Sequence, residues 1–193
     1  RNQPKPLFEC IPERHYHESA PFSSFTNIAD EILVTLESIG IRIKYGHAEV
    51  GRIQGKDGTV VEQHEIELLP QNLTEMGNAV TVAKWVIRNV CARHGLSASF
   101  IPKIALEHAG TGMHIHICAL KDGESIIAKP DGGLSSQAMQ IMGGILKFAP
   151  SLTAFGNTIP VSYLRLVSRK ESPMYVCWGA RNRLALIRIP LWW

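Results

Sequence analysis

Cysteine is sparse and scattered: Cys10, Cys91, Cys118 and Cys177 are far apart and no C-x-x-C occurs. That spacing excludes a zinc knuckle and a dithiol redox motif, and it suits a reduced, cytoplasmic protein. No apolar run approaches the roughly 18 residues that a bilayer span needs. The start, "RNQPKPLFEC", lacks the charged-then-apolar order of a signal peptide. No block of like charge is present either. The net charge of +3 is small and the arginines and lysines are dispersed, which argues against nucleic acid as a partner. Internal repeats and low-complexity segments are absent, as is the G-K-[ST] ending of a phosphate loop.

What is present is material for one globular domain. The chain has 193 residues, 45% hydrophobic and 19% charged, enough to bury a core without staples. It opens on Arg1 rather than Met and closes on Leu191-Trp192-Trp193 straight after a strand-like run. Both ends read as cuts through a larger fold.

The first 25 residues hold four prolines and no clear period, so they read as an irregular approach segment. His15 and His17 lie there without a carboxylate at useful spacing, and they read as surface histidines. From Ile28, the residues Ile32, Leu33, Leu36 and Ile39 recur at helical spacing, with Thr26 or Asn27 as N-cap and Gly40 as the stop. Ile41, Ile43 and Tyr45 then alternate with Arg42 and Lys44, and the same parity runs on through His47 and Glu49. A core-facing row thus ends in an imidazole and an acid, a common construction where a strand meets a cleft.

A glycine-containing turn leads into "VVEQHEIELLP", a hairpin return with Glu65 and Glu67 on one face and His64, Ile66 and Leu68 on the other. Thr74 to His94 carries Met76, Val80, Ala83, Ile87 and Val90 at helical spacing, with Gly95 as a stop. It reads as a long, mostly buried helix. "SASFIPK", "GMHIHICAL" and "LALIRIP" read as strands, and Ser136 to Phe148 as a helix ended by Pro150. The mixture of hairpins and helices indicates an α+β fold with a largely antiparallel sheet and flanking helices.

Chemistry concentrates in a few places. In "GTGMHIH", Gly110 and Gly112 permit close approach to the backbone, and His114, His116 and Cys118 share one strand face. Two readings stand: histidines on a wet strand face, or a ligand site. His114 with Glu49 and Glu65, from three strands, makes a candidate metal set. Two carboxylates and one imidazole suit Mg2+ or Mn2+ better than structural zinc. Arg165 in "SYLRLV" and Arg181, Arg183 and Arg188 in "ARNRLALIRIP" could clamp phosphate and carboxylate oxygens in fork geometry.

Five ordered blocks, "HAEV", "EQHEIE", "KIALEHAGTGMHIH", "GGILKFAPSLTAFGNTIPVSYLRLV" and "ARNRLALIRIP", together resemble the catalytic domain of the glutamine synthetase family. The resemblance covers roughly residues 28 to 190. It implies an ATP-dependent ligase that makes glutamine from glutamate and ammonium through γ-glutamyl phosphate. It also implies a curved, guanido-kinase-like sheet, Mg2+ or Mn2+ as cofactor and a dodecamer-like homo-oligomeric ring. Glu49, Glu65 and His114 fall at metal ligands, and His116 and Cys118 at ATP contacts. Gly110 falls in the glutamate-binding loop and Arg165 at the substrate carboxylate. Glu171 matches the flap glutamate that takes a proton from ammonium, while Arg183 and Arg188 match arginines on the phosphates and the transferring group, with Arg183 also at the substrate.

Departures accompany the match: Ile104 replaces a usual Pro, Ala109 a frequent Asn, and Cys118 a frequent Ser, while "QGKDG" inserts between Glu49 and Glu65. The E-x-E strand ahead of the first helix, the later E-x-R strand and the small N-terminal domain are missing. The resemblance therefore implies that residues 1–193 are the central part of a catalytic domain, inactive alone. A γ-glutamyl ligase for another amine and a non-catalytic scaffold are the alternative readings.

Overall fold

The structure, a computed structural model, describes residues 11–167 and 172–190. The chain divides after Phe100 into two compact units.

The first unit packs two helices and a hairpin around one core. Helix α1 (Thr26–Ser38) and helix α2 (Leu73–Arg93) flank strands β1 (Ile43–Gln54) and β2 (Val60–Leu68). Ile32 and Leu36 of α1 meet Ala83, Val86 and Val90 of α2, with Ile43 and Ile66 of the hairpin against them. These positions repeat every three or four residues, so each helix buries one stripe. The buried stripe of α2 is Ala79, Ala83, Val86 and Val90, whereas Trp85 and Leu73 are exposed. The helix is amphipathic rather than mostly buried: its apolar residues outnumber the places on the face that α1 covers.

Helix α2 is delimited locally. Asn72 accepts a hydrogen bond from the Glu75 N–H at 2.9 Å, Glu75 and Arg93 suit the dipole at their respective ends, and Gly95 stops it at φ +71. Helix α1 is not. Phe25 occupies its cap position with no side-chain bond, where Thr26 or Asn27 is expected from sequence. The Glu62 carboxylate, reaching across from β2, instead accepts the N–H groups of Ser24 and Phe25 at 2.9 and 3.2 Å.

Strands β1 and β2 pair antiparallel with His47 opposite Glu65, Ala48 opposite His64 and Arg52 opposite Glu62. Between the last two pairs, Glu49, Val50 and Gly51 face Gln63 alone, which makes a bulge. "QGKDG" forms the hairpin tip, as expected, closed by the Gly55 N–H on the Thr59 carbonyl at 2.7 Å.

The second unit contains a short hairpin, β3 (Leu120–Lys121) with β4 (Glu124–Ser125), then helices α3 (Ser136–Lys147), α4 (Ala149–Gly156) and α5 (Pro160–Val167), then β5 (Tyr175–Ala180) beside β6 (Ala185–Ile189). The β5 and β6 strands pair parallel, Gly179 opposite Arg188. Ser135 caps α3 through the Ala138 N–H at 2.9 Å. Pro150 does not end the helical region; it sits in the first turn of α4, where its missing N–H costs nothing.

The α+β class holds, but the sheets are small: among the described residues there are three separate strand pairs, two of them antiparallel. Residues 97–104 and 111–119 form no strand. Alternation of side chains fixes two faces, but a strand also needs a neighbour for its N–H and C=O groups. Met113, Ile115 and Ile117, the expected inward row, are 64%, 72% and 63% exposed. Among the described residues, no helix is long and apolar enough to cross a membrane.

Candidate functional site

The bulge in β1 lies at the centre of the first unit's candidate site. It carries Glu49 beside Glu65 of β2 and His47, and one ligand atom from each of these three lies within 4.8 Å of the others. Nδ1 of His47 donates to the Ala48 carbonyl at 2.9 Å, which turns Nε2 toward Glu65 Oε1 at 3.8 Å. Glu49 is held by the Val50 N–H, 2.7 Å from its Oε2. His17 stacks on the His47 ring at 4.4 Å between centroids, with Tyr16 at its edge. Two carboxylates and an imidazole partly open to solvent form a donor set for a hard divalent cation. The pairing of Glu49 with Glu65 matches the sequence reading. The imidazole beside them in this unit is His47, which the same reading placed at the end of the core-facing row.

Next to it, Tyr45 donates to Glu67. That hydrogen bond, followed by burial and the charges of Glu67 and Glu65, pushes the phenol up to about 12.

A second, buried cluster occupies the same hairpin. His15 is fully buried, not the surface residue expected: backbone bonds from His15 to Val50 and from His17 to Ala48 lay the approach segment along β1. His17 itself is exposed, as expected. Glu62 Oε2 stands 3.4 Å from His15 Nε2 and 3.6 Å from His64 Nε2. Its Oε1 is 3.2 Å from Arg52, whose other terminal nitrogen meets Glu18 at 3.0 Å. Burial alone would raise the Glu62 carboxyl. The neighbouring His15 and His64 rings and the Ser24 N–H outweigh it and hold the group well below the usual carboxylate range. Sequence reasoning missed this cluster; the only local signal was the E-x-H of Glu62 and His64 in β2.

In the second unit, Gly110 and Gly112 lie against Arg165. A Cβ at Gly112 would come 2.5 Å from Arg165 Nη2, and one at Gly110 would come 2.9 Å from its Cγ. At Gly110, where a Cβ would also come 2.8 Å from the Pro102 carbonyl oxygen, only glycine fits without a backbone shift. The loop before it is drawn together by Lys103, a buried residue that sequence reasoning passed over, which donates to the His108 carbonyl. His114, His116 and Cys118 are exposed on the segment that follows. Arg181, Arg183 and Arg188 converge with Pro190 around an open pocket of about 200 Å³. Arg188 faces the side-chain-free Gly179 across the strand pair. Glu171 lies outside the described residues.

The profile of the glutamine synthetase catalytic domain matches residues 8–192. The chain belongs to that family. The glutamine synthetase of Pyrococcus furiosus is 37% identical over 178 residues, which cover 92% of this chain and 38% of the relative. That of Archaeoglobus fulgidus is 35% identical over 187 residues, 94% of this chain and 36% of the relative. The chain therefore spans little more than a third of the length of these glutamine synthetases. The structure of Plasmodium falciparum glutamine synthetase superposes with a TM-score of 0.85 at 27% identity, covering 93% of this chain and 33% of that one.

Proposed function

We propose that the full-length protein carrying this chain condenses glutamate with ammonium at the expense of ATP, by way of γ-glutamyl phosphate. The observation that carries the reading is the convergence of Glu49 and Glu65 on the β1 bulge within a chain of this family. The two carboxylates fit Mg2+ or Mn2+, with His114, as the family motif implies, completing the donor set. The cation supplies charge neutralisation for the phosphates of ATP.

The chain's own residues divide the remaining work. Arg183 and Arg188, in the arginine pocket, hold phosphate oxygens and stabilise charge on the transferring phosphoryl group. Arg165, seated on Gly110 and Gly112, grips the glutamate carboxylate, and Arg183 also contacts substrate. His116 and Cys118 flank the nucleotide. The γ-carboxylate oxygen attacks the terminal phosphorus and ADP leaves. Ammonia then attacks the acyl carbon, phosphate departs, and Glu171 accepts the proton that ammonium gives up. The site works in a cytoplasmic homo-oligomeric ring, and this chain alone is inactive.

Phosphate release by the full-length protein with ATP and glutamate, comparing ammonium with methylamine and ethylamine, tests the reading. Release that depends on ammonium and disappears in Glu49→Gln is expected. A preference for an alkylamine would reassign the acceptor, and no release with any amine would make the protein a scaffold.

A further inference from the structure

The buried cluster on the hairpin has a donor geometry that the ligase chemistry does not use. His15 donates from Nδ1 to the Glu49 carbonyl at 3.0 Å, so its second nitrogen, Nε2, points at Glu62 Oε2. His64 Nε2 points at the same oxygen, and both nitrogens are buried without a hydrogen-bond partner. One ligand atom from each of His15, Glu62 and His64 lies within 4.8 Å of the others, so all three can take one cation between them.

We propose that His15, Glu62 and His64 form a zinc site, distinct from the carboxylate-rich cluster of His47, Glu49 and Glu65. With Zn2+ about 2.0–2.1 Å from each ligand, tetrahedral donors lie roughly 3.3–3.4 Å apart; the two nitrogen–oxygen edges measure 3.4 and 3.6 Å. Two imidazoles and one carboxylate are a borderline-soft set, suited to Zn2+ and not to Mg2+. The outer contacts that orient zinc ligands are in place. His15 Nδ1 is on a backbone carbonyl, and Glu62 is held by Ser23, Ser24 and Arg52. Arg52 is already balanced by Glu18, so its charge is shared away from the ion. The His64 side chain is 21% accessible, with its Nε2 turned inward and buried. The ion would tie the approach segment to β2.

The test uses the full-length protein carrying this chain, stripped with chelator and kept in excess Mg2+ so that the carboxylate cluster is filled. Co2+ should give the intense visible bands of a tetrahedral site, displaced by one equivalent of Zn2+. X-ray absorption of the zinc-loaded, unmutated protein should show two imidazoles. His64→Gln should weaken Zn2+ by at least about a hundredfold, beyond the range for loss of an outer contact, while Glu65→Gln should leave it unchanged. A six-coordinate cobalt spectrum, fewer than two imidazoles, or zinc lost in Glu65→Gln and kept in His64→Gln would each overturn the proposal. The unmutated spectra decide the matter if a variant misfolds.

Discussion

One hairpin carries two clusters built from the same residue types, and they differ in what surrounds them. His15, Glu62 and His64 are sealed under the approach segment, and Glu62 is ringed by Ser23, Ser24, Phe25 and Arg52. His47, Glu49 and Glu65 stand at a bulge with Glu65 41% exposed. The difference teaches that residue type alone does not assign a role. A carboxylate surrounded by donors acts as an anchor and favours a dry, nitrogen-rich cation site. A carboxylate left open to water can trade its hydration for a hard cation and release it again.

The largest expected effect is on the sealed side. Glu62→Ala strands Arg52 without its buried partner and should cost about 3–5 kcal/mol, against about 0.5 kcal/mol or less for the open Glu65→Ala. Urea unfolding of the two variants measures both, and similar midpoints would erase the distinction. On the open side, Glu65→Gln should weaken Mn2+ by at least the roughly tenfold that loss of even an outer contact brings, with no change in melting temperature; manganese paramagnetic resonance reads the free ion.

Smaller in energy is Gly51→Ala. Its Cβ would meet Gln63 at 2.8 Å from Oε1 and 3.2 Å from Cβ, crowding the bulge by about 1 kcal/mol. It should loosen Mn2+ while leaving Zn2+ unaltered, and an equal loss of both ions would show that the clusters are not separate. The smallest effect is alkaline. Folding raises the Tyr45 phenol from 10.0 to about 12. The protonated group therefore contributes stability that is complete below pH 10 and lost as the pH climbs through 12. Tyr45→Phe should flatten that limb of the stability curve and remove the late phase of the phenolate absorbance titration.

Much of this was legible in the sequence, because local rules fix it. The helical period located α1 and α2, the alternation of Ile43 to Glu49 led to the bulge residues, and the return strand supplied Glu65. The apolar strand with arginines at its start and middle became β6 and the wall of the arginine pocket. What escaped is non-local. Nothing near His15 shows that it will be buried, because its partners lie 34 and 47 positions away, at Glu49 and Glu62. Alternation in 113–117 could not say whether another strand would lie alongside. Pro150 reads as a stop because the residues before it are helical, yet it also fits the opening turn of a new helix, and α4 and α5 were missed with it.

The carboxylate that holds the entry to α1 also sets an order of assembly. The residues just before Thr26 have no side-chain cap of their own and find their acceptor in Glu62, 38 residues beyond Ser24 and 37 beyond Phe25. The first turn of α1 can therefore fluctuate until β2 has paired with β1, and it closes only when Glu62 arrives. In native-state hydrogen exchange, the amides of Ser24 and Phe25 should open together with the hairpin, ahead of the middle of their own helix.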